Sequence, residues 1–137
     1  MNGYRESWCV SDFKKLLVWR KAHALALNVH HVAARIRGAN NASLRSQLLR
    51  AAMSVPTNIV EGTGQRSGKE FGRFLDIAIK SASEVEYHLI LGREIRVISV
   101  NDFESLTAQT TEVRKMLSGL RARVISSPPK ATSNVPT

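Results

Sequence analysis

Residues Gln47 to Leu89 read QLLRAAMSVPTNIVEGTGQRSGKEFGRFLDIAIKSASEVEYHL, and their apolar spacing decides the fold class. Counting from Leu44, the residues Leu48, Ala52, Val55 and Ile59 recur at steps of three and four, which places them on one helical face. A second stripe runs from Phe71 through Phe74, Leu75, Ala78, Ala82, Val85 and Leu89 toward Ile95. Between the stripes lies a glycine-marked bend, Glu61 to Lys69. Ser67 and Glu70 form an S-x-x-E capping box, in which each side chain satisfies an orphan backbone donor at a helix start. Ser43 is the predicted N-cap of the helix before the bend. Pro56 falls inside that helix, removing one donor and disfavouring helical geometry at Val55, so a kink or local break is expected there.

The same period continues outward. Upstream, Val18, Ala22, Leu25, Val29, Val32 and Ile36 make one stripe, closed by Gly38 with Asn40 and Asn41, residues that tolerate the left-handed turn ending a helix. Downstream, Phe103, Leu106, Thr110, Val113, Leu117, Leu120 and Val124 make another, capped by Ser99 or Asn101. Its acids Asp102 and Glu104 come early and Arg121 and Arg123 late, matching the helix dipole. Four helices with short connections predict an all-α, up-down-up-down antiparallel four-helix bundle. Its expected extent is residues 13–125, between a flexible N-terminal tail (1–12) and a disordered Pro-, Ser- and Thr-rich C-terminal tail (126–137).

At 137 residues the chain is one domain, long enough to bury a core without staples. The longest stretch without a charge, Ala22 to Ala34, is too short and too often interrupted by His and Asn to span a bilayer. Cys9 is the only cysteine, which excludes an internal disulfide, and the first residues lack an apolar signal core. A reducing, cytoplasmic location is the expectation.

The formal net charge is +9. Between Phe13 and Val60 stand eight bases (Lys14, Lys15, Arg20, Lys21, Arg35, Arg37, Arg45, Arg50) and no carboxylate. In an up-down bundle the start of the first helix, the end of the second, the start of the third and the end of the fourth share one end. That end gathers Lys14, Lys15, Arg20, Lys21, Arg66, Lys69, Arg73, Arg121 and Arg123, a basic pole suited to a polyanion. The opposite end mixes Glu94, Asp102 and Glu104 with Arg37, Arg45 and Arg96.

Chemistry-bearing motifs are sparse. Gly68-Lys69 suggests a phosphate loop, but the spacing needs glycine at position 63, where Thr63 stands. Glu70 also replaces the magnesium-holding Ser or Thr. A weaker role, a backbone phosphate accepted by amides at the start of the third helix beside Arg66 and Lys69, competes with glycines that merely turn the chain. Asn58 and Glu61, one turn apart, read better as groups bonding backbone freed by Pro56 than as a catalytic pair, since no second acid, His or nucleophile completes a site. Glu84 is followed at the third residue by Tyr87, and Glu86 by Leu89, so the Glu-x-x-His pairs of di-iron bundles are missing. Glu84 and His88 suit a surface pair. Trp19 is either a packing residue or a base-stacking one flanked by Lys14, Lys15, Arg20 and Lys21, with packing favoured. Leu27, Leu49, Ile77, Ile79 and Leu91 exceed what one bundle hides, which suggests self-association. No cofactor, metal, membrane or small-molecule substrate is implied.

A resemblance rests on Gln47, Arg50, Ala51, Ala52, Ser54, Pro56, Asn58, Ile59, Glu61, Gly62, Ser67, Glu70, Phe71, Phe74, Leu75, Ala78, Ser81, Ala82, Ser83 and Glu84. A second block, Phe13, Lys14, Leu16, Val18, Trp19, Lys21 and Ala22, agrees. With these residues the chain resembles the four-helix-bundle proteins encoded in intervening sequences of 23S rRNA genes. More distantly it is similar to the accessory variability determinant of diversity-generating retroelements. The resemblance implies a bacterial four-helix bundle in a ring-like, commonly pentameric homo-oligomer, and it carries no catalytic residues. Lys15, Arg20 and Lys80 depart from the family pattern, and the first two add positive charge. The resulting expectation is a non-enzymatic bundle binding RNA or DNA through phosphates at the basic pole. The alternative is a protein–protein scaffold or accessory subunit.

Overall fold

The structure, a computed structural model, describes residues 12–126. It is all-α, and among the described residues there is no strand. A 3-10 turn at Phe13–Lys15 leads into helix α1 (Leu17–Ala33); a second turn, Ala39–Asn41, leads into α2 (Ala42–Thr63); α3 (Gly68–Glu94) and α4 (Val100–Ile125) complete the chain. The expected tails fall outside the described residues except at their edges. Asp12 caps the first turn by accepting the Lys14 N–H (3.0 Å), and the Ser126 hydroxyl donates to the Arg123 carbonyl (3.0 Å).

The four stripes meet in one core. Leu25, Val29, Leu48, Val55, Ile59, Phe71, Leu75, Val85, Leu89, Leu106 and Leu117 are all fully buried. Thr110 occupies a core position at no cost in unpaired polarity, because its hydroxyl donates to the Leu106 carbonyl (2.6 Å). Each helix packs on two neighbours: α1 on α2 and α4, and α3 on α2 and α4, with the α2–α3 seam the most extensive. Small residues line that seam, and Ser81 donates across it to Ser54 (2.8 Å). Cross-helix pairs run in opposing register. Along α1 and α4 these are Lys21 with Glu112, Asn28 with Gln109, and Arg35 with Asp102; along α3 and α4 they are Asp76 with Arg121 and Glu86 with Arg114.

Several local expectations are corrected. Helix α1 stops at Ala33, with Ile36 buried beyond it in the connection and Gly38 at φ 99° four residues after the first non-helical position. The Ile36 carbonyl is held there by the Arg45 guanidinium (2.7 Å), which makes the connection a packed segment rather than a helix end. Asn41, not Ser43, takes the N-cap position of α2, because the preceding 3-10 turn runs straight into the helix and leaves Ser43 exposed within it. Pro56 does not break α2. Side chains flank it: Thr57 donates to the Met53 carbonyl (2.8 Å) and Asn58 to the Ser54 carbonyl (2.8 Å), while the carbonyl whose helical donor the ring removes is that of Ala52. The N-cap Ser67 accepts the Glu70 N–H (3.1 Å), but the Glu70 carboxylate stays exposed and returns no bond. Ser99 caps α4 in the same way through the Asp102 N–H (3.1 Å).

Candidate functional site

Contacts link several of the helix ends on which the predicted basic residues stand. The end of α2 meets the start of α3 where Gly62 lies under the Phe71 and Phe74 side chains. The start of α3 meets the end of α4 where Gly72 faces Ile125 and Asp76 pairs with Arg121. The end of α4 meets the start of α1 around an open cavity of about 370 Å³ lined by Leu16, Leu17, Val18, Met116, Gly119, Leu120 and Arg123. The turn carrying Lys14 and Lys15 packs on both α1 and α2.

The nine bases are not equivalent. Lys21 is engaged by Glu112 at 3.3 Å and Arg121 by Asp76, so these two are partly neutralised by neighbouring helices. Arg123 is exposed at the cavity rim and also has an interaction. Lys14, Lys15, Arg20, Arg66, Lys69 and Arg73 are exposed and, among the described residues, face no carboxylate within ion-pair distance. The exposed acids Glu61 and Glu70 flank the bend and dilute the field there. Sequence reasoning missed the two pairings. Counting registers along α3 and α4 in the expected up-down order would have set position 76 opposite position 121.

The bend is built by packing more than by turning. Gly62 is helical, and a Cβ there would stand 2.5 Å from the Phe71 ring; Gly64 has an ordinary φ of −85°. Among the described glycines only Gly38 has a positive φ. Asn58 is half-buried and bonds Ser54 through both its carbonyl and its hydroxyl (2.8 and 3.0 Å). Glu61 contributes its backbone carbonyl, which accepts from the Gly64 N–H (3.2 Å) and the Gln65 amide (3.1 Å), while its carboxylate is exposed. Trp19 is partly buried against the core, edge-on to Phe13 (5.0 Å) and stacked on His23 (4.9 Å, 7°).

The family model described as 23S rRNA-intervening sequence protein matches residues 14–119. The chain belongs to that family. A solved relative is a protein of unknown function from the S23 ribosomal protein family of Bacteroides thetaiotaomicron VPI-5482. It is 28% identical, covers 77% of this chain and 98% of its own, and superposes with a TM-score of 0.70. No curated protein matches.

In this 23S rRNA-intervening sequence protein, the histidines make local contacts. His88 donates through Nδ1 to the Glu84 backbone carbonyl (2.7 Å), which replaces the carboxylate–imidazole pair expected from their spacing. His30 and His31 touch edge to face (6.1 Å) on the exposed side of α1. Among the described residues no three His, Cys, Asp or Glu side chains gather as metal ligands. Among the described residues no helix is long and apolar enough to cross a membrane.

Proposed function

We propose that this chain is a non-enzymatic, homo-oligomeric, up-down-up-down bundle that binds nucleic acid through phosphates at the end carrying Lys14, Lys15, Arg20, Arg66, Lys69 and Arg73. The observation that carries the reading is the exposure of these six bases without acidic partners among the described residues, on helix ends that contact one another. Exposed, unpaired Lys and Arg are free to displace counterions from a phosphate backbone, whereas Lys21 and Arg121 must first leave their carboxylates. The start of α3 adds backbone amides between Arg66 and Lys69. The opposing register of the cross-helix pairs supports the up-down order. The family's description, which refers to ribosomal RNA, agrees with an RNA-linked setting. A cytoplasmic, bacterial location fits the single cysteine.

Titration of labelled RNA and DNA oligonucleotides with nuclease-treated protein at several salt concentrations tests the reading. Affinity should fall steeply as salt rises, with a log–log slope on the order of −4 to −5 if six phosphates are neutralised. Affinity that does not change with salt removes it.

The scaffold reading has its own support in exposed apolar side chains, Leu27 (48%), Met53 (58%), Ile77 (44%) and Tyr87 (57%). It predicts a stable oligomer, pentameric by family resemblance, that ignores both nucleic acids.

A further inference from the structure

The seam between α1 and α2 contains an open groove of about 420 Å³, within the size range of small-ligand clefts, roughly 300–1,000 Å³. Helix α1 lines it with His23, Ala26, Leu27 and His30, and α2 with Met53, Pro56 and Thr57. Leu27 and Met53 remain exposed on its two walls. Thr57 commits its hydroxyl proton to the Met53 carbonyl (2.8 Å), so its oxygen is left as an acceptor.

A stacked pair of rings borders this groove. Trp19 is partly buried against the core and lies parallel to the His23 imidazole, with centroids 4.9 Å apart and 7° between the planes. Phe13, edge-on to the indole at 5.0 Å, steadies it in turn. His23 itself is exposed, and among the described residues no ring other than Trp19 meets it. Trp19 therefore backs one face of the imidazole and fixes its plane, leaving the other face for a ligand.

The neighbouring charges narrow the class of ligand. Arg20 precedes His23 by about 4.5 Å along the helix axis. It is exposed and has no acidic partner among the described residues. The turn carrying Lys14 and Lys15 packs on both helices that form the groove. Glu61 is exposed one turn beyond Thr57 on α2, so an anion is favoured on the α1 side. A purely apolar ligand would make no use of these bases. A bare phosphate would leave Leu27, Met53 and the ring face in water. A nucleotide whose base is unpaired satisfies both, since every base has a π-face and carries a phosphate with it.

We propose that the α1–α2 groove seats one unpaired nucleobase, stacked on the face of His23 that Trp19 leaves open, with its flanking phosphates on the Arg20 side of α1. Single-stranded nucleic acid is then the preferred ligand class. The inference rests on the phosphate-binding reading and adds to it a contact that is not electrostatic.

Two ligands of equal charge test it. The full chain is titrated at several salt concentrations with a labelled single-stranded oligonucleotide and with an abasic strand of the same length. The intact strand should bind more tightly by roughly 5- to 150-fold, the range for one stacked base, with an unchanged salt slope. His23 is exposed, so its replacement leaves the core intact. His23→Ala should bring the two strands to the same affinity without weakening the abasic one, and His23→Phe should keep them apart. Equal binding of intact and abasic strands by the parent chain overturns the proposal and leaves the phosphate reading standing. A difference that survives His23→Ala also overturns it, since the base then sits elsewhere. Failure of both strands to bind removes the phosphate reading and this inference with it.

Discussion

Gly62 and Gly92 show how single positions set the spacing of this fold. At each, a helix backbone accepts a bulky side chain from the next segment, Phe71 over Gly62 and Ile98 over Gly92. Gly62→Ala places a methyl group 2.5 Å from a fully buried ring. Overpacking of that kind costs about 1–3 kcal/mol, to be read as a lower urea midpoint at unchanged slope. Ser67→Ala removes the cap that accepts the Glu70 N–H and should cost about 1 kcal/mol in the same assay. Of these two residues only Ser67 was legible in the sequence, because a cap is a local pattern. The role of Gly62 depends on Phe71, nine residues ahead and on another helix, and turn chemistry was the reading that local context offered. The carboxylate of Glu61 was likewise assigned to freed backbone. Proximity to Pro56 suggested the role, but the side chains that bond backbone in that turn are Thr57 and Asn58, on the Met53 and Ser54 carbonyls.

At the level of elements, the four apolar stripes were plain in the sequence, since a three-four period survives any ambiguity about ends. What it could not supply was register. The pairs Arg121 with Asp76 and Lys21 with Glu112 arise only when α4 is laid beside α3 and α1, and they remove two bases from the predicted phosphate-contacting set. Both pairs are substantially exposed, so a double-mutant cycle on Lys21 and Glu112 should give a coupling of about 0.2–1 kcal/mol, declining with salt. A coupling well above that range would mean the α1–α4 seam is held electrostatically. The continuity of α2 through Pro56 was also beyond local reasoning. Local rules count the lost donor, while the tertiary setting buries the ring within α2.

For the whole molecule, charge is the property that remains unspent by folding. The core needs none of Lys14, Lys15, Arg20, Arg66, Lys69 or Arg73, and none of them has an ion-pair partner among the described residues. The expectation that they gather at one end comes from connection lengths and helix order alone. The acids Glu61 and Glu70 at the same bend follow from that same order, and they lower the field a polyanion meets. The measurement that tests the account most directly is RNA and DNA binding by two triple charge reversals, Arg66→Glu, Lys69→Glu and Arg73→Glu against Arg37→Glu, Arg50→Glu and Lys115→Glu. Both change the net charge equally. The account predicts that the first set lowers the magnitude of the salt slope by about 2–3 and abolishes binding at moderate salt, while the second leaves most of it. Equal loss in the two variants, or binding by neither variant nor parent, would contradict it.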